Sequence, residues 1–132
     1  MALLGKNTTD KRPVFLNLFQ IHLPVTALVS ILHRVSGVGM ILGLPVMLYI
    51  MYATLAGHAE YILMSSLASS FLGKITLLLI VIGSMYHMLA GARHSYDDST
   101  GSHALSTAQR SAKVLLVIWG IWIGLTIWRL WF

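Results

Sequence analysis

The residues with the clearest chemical potential lie in the stretch 86–98, YHMLAGARHSYDD, where an apolar run carries a histidine inward and closes on charged side chains. His87 and His94 are seven residues apart. That is close to two helical turns, so both project from nearly the same face, about 10 Å apart along the axis. Gly91 falls between them, at i+4 from His87, and leaves a notch where a broad, flat group could approach the backbone. An imidazole inside hydrocarbon is costly without a partner, and an ionisable residue there is read first as a functional site. A deep histidine, a glycine notch and cations at the polar end suit a haem, with the iron on His87 and the propionates toward Arg93 and His94.

A second stretch, SILHRVSG at 30–37, places Ser30, His33, Arg34 and Gly37 at i, i+3, i+4 and i+7, one face of a helix. This face is predicted to lie at the same depth as Arg93 and His94, so two basic faces converge just above His87. A guanidinium and an imidazole there could hold haem propionates by charge-assisted bonds. A serine hydroxyl beside an arginine could equally hold a quinone carbonyl, which needs donors in an otherwise apolar pocket. Both readings stay open at this point.

Ordinary roles compete at each position. Arg34 and Arg93 could be topogenic anchors that snorkel to the interface. His87 could bond across to another helix, and His94 could simply be solvated at the interface. Ser30 and Ser36 could bond back to their own helix carbonyls. His22, His58 and His103 fall in the arm or loops and carry no specific assignment. Because only His87 sits deep, a six-coordinate haem would draw its second ligand from another polypeptide. The sequence offers no carboxylate pair, nucleophile–base set or phosphate loop, and catalysis by this chain alone is not expected.

The elements that must position these residues follow from composition. Charged residues make up 10% of the 132 residues and apolar ones 57%, with a mean hydropathy of +0.79. A soluble domain needs about 25% charged residues, so this chain reads as an integral membrane protein of one domain, 1–132. With no cysteine, disulfides, thiolate metal sites, iron–sulfur ligation and covalent haem attachment are excluded from it. The formal charge of +5 reflects basic residues at the ends of apolar segments, and no nucleic acid is needed to explain it.

The expected fold is all-α: an N-terminal arm over 1–23 and three transmembrane helices at about 24–55, 69–94 and 107–131. The arm carries Lys6, Lys11 and Arg12 and is broken by Pro13. Pro24 suits the first turn of a helix, and Pro45 within the first span can kink it without ending the crossing. Gly39 and Gly43, and again Gly120 and Gly124, make small-xxx-small pairs that read as helix packing. Residues 57–65 read as a short loop with one acid, Glu60, and 96–106 as a loop rich in Ser, Gly and Asp. Lys74 can snorkel at the outer end of the second span, and Trp128, Arg129 and Trp131 form an interface belt. Lys6, Lys11, Arg12, Arg93, Arg110 and Lys113 outweigh Lys74, so the arm and the 96–106 loop are expected inside and the C-terminus outside. No signal peptide is legible, and the N-terminus is expected to stay intact. No internal repeat is visible, which disfavours a small transporter.

At these stretches the sequence resembles the cytochrome b556 membrane anchors of succinate dehydrogenase. The resemblance rests on Arg12-Pro13, on the run 30–37, on His87-x-x-x-Gly91-x-Arg93-His94 with Asp98 beyond it, and on Arg110-Ser111-Ala112-Lys113 opening the third span. It implies a complex with a flavoprotein subunit that oxidises succinate, an iron–sulfur subunit and a second membrane anchor. It implies that His87 is an axial ligand of haem b, the other ligand coming from that anchor. It also implies that Ser30 and Arg34 bind ubiquinone, that His33, Arg34, Arg93 and His94 surround the propionates, and that Asp98 orders that network. The implied location is the bacterial inner (cytoplasmic) membrane, N-terminus cytoplasmic and C-terminus periplasmic. Ser95 and Asp97 depart from the family pattern. The rivals are the anchor of a fumarate reductase, which runs the same chemistry in reverse, and a haem-free structural membrane subunit.

Overall fold

The computed structural model describes residues 23–101 and 104–132. The arm residues 1–22, with Arg12, Pro13 and His22, and His103 in the last connection lie outside the described residues. Four helices follow in order: α1 (Val25–Ala56), α2 (His58–Ser69), α3 (Phe71–Thr100) and α4 (Leu105–Trp131). Pro24 stands one residue before α1, and its carbonyl accepts from Ala27 N–H at 2.9 Å and Leu28 N–H at 3.2 Å. The proline lacks only a donor that the first turn would leave unpaired anyway. Pro45 lies inside α1, which continues through it.

α1, α3 and α4 are long and apolar enough to cross a membrane, and they are the three transmembrane helices of a multi-pass membrane protein. Little of their apolar surface is enclosed within the chain: 6, 11 and 6% of the most hydrophobic windows are buried. Side chains such as Ile41, Leu42 and Leu55 project outward. Apolar surface on this scale belongs against lipid or other subunits.

Two boundaries differ from the sequence reading. Residues 57–65, read as a loop, begin a twelve-residue helix. Good helix formers fill that segment, and Glu60 in its first turn suits the positive end of the helix dipole. At 1.5 Å per residue α2 rises only ~18 Å, well short of the ~30 Å hydrocarbon layer, so the described residues hold three spans. α3 also runs past Tyr96 to Thr100. An i,i+4 ion pair from Arg93 to Asp97 at 3.2 Å supports that added turn. Gly101, left-handed at φ 60°, ends the helix.

The corner between α2 and α3 is tight. Ser70 caps α3 by accepting from Gly73 N–H at 3.1 Å, and its own N–H donates back to the last carbonyls of α2. A Cβ on Gly73 would collide with the Leu67 carbonyl oxygen and come within 2.9 Å of Ala68 Cα. Backbone cannot yield as a flexible side chain can. Gly73→Ala is therefore expected to cost ~1–3 kcal/mol, read as a lower unfolding temperature of the purified complex in detergent. An unchanged midpoint would show that the corner opens freely.

The enclosed core is small and lies where α1, α3 and α4 meet: Val29, Tyr86, Ala90, Ala112 and Leu115. Tyr86, 2% exposed, donates its hydroxyl to the Val29 carbonyl across the α1–α3 seam at 2.8 Å. Its ring meets Trp119 edge-on at 4.8 Å, and Trp119 Nε1–H donates to the Ile82 carbonyl at 2.9 Å. Polar aromatic tips thus find helix carbonyls where no water is at hand. At the opposite end of the bundle, Lys74 Nζ lies 5.6 Å from the Trp131 ring centroid and ties the start of α3 to the end of α4.

Candidate functional site

α1 and α3 cross closely where the two polar stretches meet, and glycine sets that distance. A Cβ on Gly37 would stand 3.1 Å from His87 Cε1, and one on Gly91 would stand 3.6 Å from His33 Nε2. Each helix offers a glycine to the other's histidine. The notch at Gly91, predicted to receive a broad flat group, is filled by the His33 ring. His33 in turn lies against His87, with centroids 4.3 Å apart and a tilt of 31°, and against His94 at 5.2 Å and 35°. Among the described residues, His33 Nε2 is the only fully buried side-chain polar atom without a hydrogen-bond partner.

His87 is held on one nitrogen. Its Nδ1 lies 3.1 Å from Ser36 Oγ and 3.2 Å from the His33 carbonyl oxygen, while Ser36 donates to that same carbonyl at 2.8 Å. Among the described residues Nε2 of His87 has no hydrogen-bond partner, and it is not sealed from the surroundings. On the side of His87 away from His94, α1 and α3 separate into a groove of ≈160 Å³ lined in part by Ser36, Gly39, Gly43, Gly83 and Ser84. Gly43 approaches Ile80 there, a Cβ falling 3.3 Å from Cγ1, whereas a Cβ on Gly39 or Gly83 would meet nothing within 4 Å. A Cβ on Gly120 or Gly124 would likewise meet nothing within 4 Å among the described residues.

The two arginines differ in their surroundings. Arg34 is exposed, one turn from half-buried Ser30. Arg93 faces α4 instead: its Nε donates to Ser111 Oγ at 2.8 Å and an Nη donates to the Ala108 carbonyl at 3.1 Å. With Asp97 paired to it, its side chain is only 10% exposed. The hydrogen bonds of Arg93 thus go to α4 and its ion pair to its own helix. His94 stays with His33, and Asp98 is exposed. Asp97 is the acid that holds Arg93.

Four contacts are not legible in the sequence: Tyr86 to Val29, Trp119 to Ile82, Arg93 to Ser111, and Ser36 to His87. All run between helices, and the sequence signals them only as polar groups at span positions.

The donor set fits a haem. One imidazole has a nitrogen engaged by protein oxygens and the other nitrogen open, which is the arrangement of a histidine ligand with its outer partner in place. A porphyrin carries ring nitrogens of its own, so a single open imidazole nitrogen such as His87 Nε2 would serve to hold its iron from this chain. Among the described residues no group of three or more His, Cys, Asp or Glu side chains could hold a bare metal ion.

Three membrane-crossing helices with histidines clustered where α1 meets α3 define a polytopic membrane protein. Comparison with known proteins narrows the class. The family model for the succinate dehydrogenase/fumarate reductase transmembrane subunit matches residues 8–127. The chain is 31% identical to the succinate dehydrogenase cytochrome b556 subunit of Coxiella burnetii, covering 86% of this chain and 97% of that protein. It is 28% identical to the protein of the same name from Paracoccus denitrificans, over 80% and 81% of the two chains. The chain belongs to the succinate dehydrogenase/fumarate reductase transmembrane subunit family.

Proposed function

We propose that this chain is the membrane anchor of a succinate:quinone oxidoreductase, donating His87 as one axial ligand of a haem b shared with a second membrane subunit. The observation that carries the reading is the His87 imidazole, clamped through Nδ1 and open at Nε2 within a membrane-crossing helix. His33 lies against His87, and His94 lies against His33; with Arg34 as the cation, these side chains are the ones that would hold propionates. Arg93 is committed to α4 and supports the site through α3–α4 packing.

Ser30 and Arg34 form the quinone-binding pair of this reading. They share a helix face, one turn apart, and the exposed guanidinium is available to a ligand or a partner chain. A hydroxyl and a guanidinium can both donate to a quinone carbonyl as it gains charge. Haem b, when bound, supplies a one-electron carrier beside that site. The iron–sulfur and flavoprotein subunits deliver electrons from succinate on the side where α1 begins and α3 ends. That side faces the cytoplasm, given the basic residues there, and the membrane is the bacterial inner membrane. A fumarate reductase anchor uses the same parts in reverse, and the family description covers both directions.

The test is a dithionite-reduced minus oxidised absorption spectrum of the complex purified through this subunit. A b-type band with succinate-dependent quinone reduction is the expected result. An assembled complex without the band would leave a haem-free anchor.

A further inference from the structure

A neutral imidazole has two nitrogens and one proton, and which nitrogen keeps it decides what the ring can do. At His87 the surrounding distances settle that. Ser36 Oγ lies 2.8 Å from the His33 carbonyl oxygen, and a hydroxyl that close donates its single proton there. Two oxygens at that separation with no proton between them would repel. Ser36 Oγ therefore turns a lone pair to His87 Nδ1, 3.1 Å away. The His33 carbonyl does the same at 3.2 Å. Nδ1 carries the hydrogen, shared between two acceptors, and the lone pair of the ring is left on Nε2.

The ring plane is constrained by the same turn of α1. Gly37 lets the imidazole lie against the α1 backbone, its Cβ position being 3.1 Å from Cε1 and 3.6 Å from Nδ1. His33 covers the ring at 4.3 Å between centroids. His33, Ser36 and Gly37, all within one turn of α1, thus hold one side chain of α3.

We infer that Ser36 is a positioning residue for His87, fixing its tautomer and ring plane and raising the electron density that Nε2 offers to iron. The inference rests on the reading of His87 as an axial ligand. Outer partners of a ligating histidine orient it and raise its basicity. An acceptor on Nδ1–H pushes density toward Nε2, which favours the oxidised metal. Without the serine hydroxyl one of two acceptors is gone, and the reduced metal gains relative to the oxidised. The His33 carbonyl remains, so the tautomer and the ligation persist.

The experiment compares complexes carrying the wild-type chain, Ser36→Ala and Ser36→Thr, by redox titration of the b-type band and by low-spin electron paramagnetic resonance of the oxidised haem. Ser36→Ala is expected to raise the midpoint potential and move the largest g value at unchanged haem content. Ser36→Thr, which keeps the hydroxyl and its i−3 bond, is expected to stay with wild type. Wild-type potential and g value in Ser36→Ala would overturn the inference, as would equal shifts in both variants. Should Ser36→Ala lose the haem, recovery in Ser36→Thr supports the hydroxyl's role and equal loss overturns it. A wild-type complex with no b-type band would instead overturn the axial-ligand reading on which the inference stands.

Discussion

Replacing His87 with leucine is expected to abolish the native b-type spectrum while leaving the membrane anchor inserted and assembled. Leucine roughly matches the volume of the imidazole and is at home in hydrocarbon, so the α1–α3 crossing can still close. Nothing polar is stranded by the change: Ser36 keeps its bond to the His33 carbonyl, 2.8 Å away, and that carbonyl needs no further donor. The haem, by contrast, would lose the Nε2 that His87 presents open. The measurement is the reduced-minus-oxidised spectrum of complexes matched for protein stoichiometry, with succinate oxidation by an artificial acceptor as the assembly control. A band lost or converted to a high-spin form with the control intact is the expected outcome. A wild-type spectrum in His87→Leu would move the ligand to another residue, and His33, whose ring centroid lies 4.3 Å from that of His87, would be next in line.

His87 stands out in the sequence because burial and spacing are written there. A histidine with no charged residue from 75 to 92 around it has to lie deep, whatever the bundle looks like. The same logic finds the three spans, because twenty apolar residues have few alternatives. It fails where the answer depends on a neighbour. Gly91 reads as a place where something approaches the backbone, yet only the α1 crossing shows that the visitor is His33. Depth alone groups Arg93 with Arg34. Depth fixes height along the membrane normal and says nothing of direction around the helix axis, and only the packed helices show that the Arg93 guanidinium bonds to Ser111 on α4. The extra turn of α3 turns on Asp97, a residue whose role as partner to Arg93 emerges once the helix is seen to continue. The pairing of Gly37 with His87 and of Gly91 with His33 is the clearest case. Each motif read alone contains a histidine and a glycine at i and i+4, and only the packed helices reveal that the two motifs are halves of one crossing.

Arg34→Ala is expected to reduce quinone reduction by roughly ten- to a hundred-fold in kcat/KM, the loss of a hydrogen bond to a charged donor being about 1.5–3 kcal/mol. The residue is exposed and stands one turn from Ser30. Its removal therefore opens no cavity in the Val29–Tyr86–Ala90 core. Insertion and assembly should survive, and succinate oxidation with an artificial acceptor, which bypasses the membrane site, should stay near wild type. Arg34→Lys should recover part of the loss, since it restores the charge without the guanidinium's planar fork. Ser30→Ala should fall less far, by about 0.5–1.5 kcal/mol, because a neutral hydroxyl contributes less to a carbonyl that is gaining charge. The split between the two acceptors is what gives the result its meaning. A group that binds quinone affects only the assay that contains quinone. A group that holds the complex together lowers both, and equal loss in the two assays would reassign Arg34 from the quinone pocket to an anchor at the membrane surface or an interface with a partner chain.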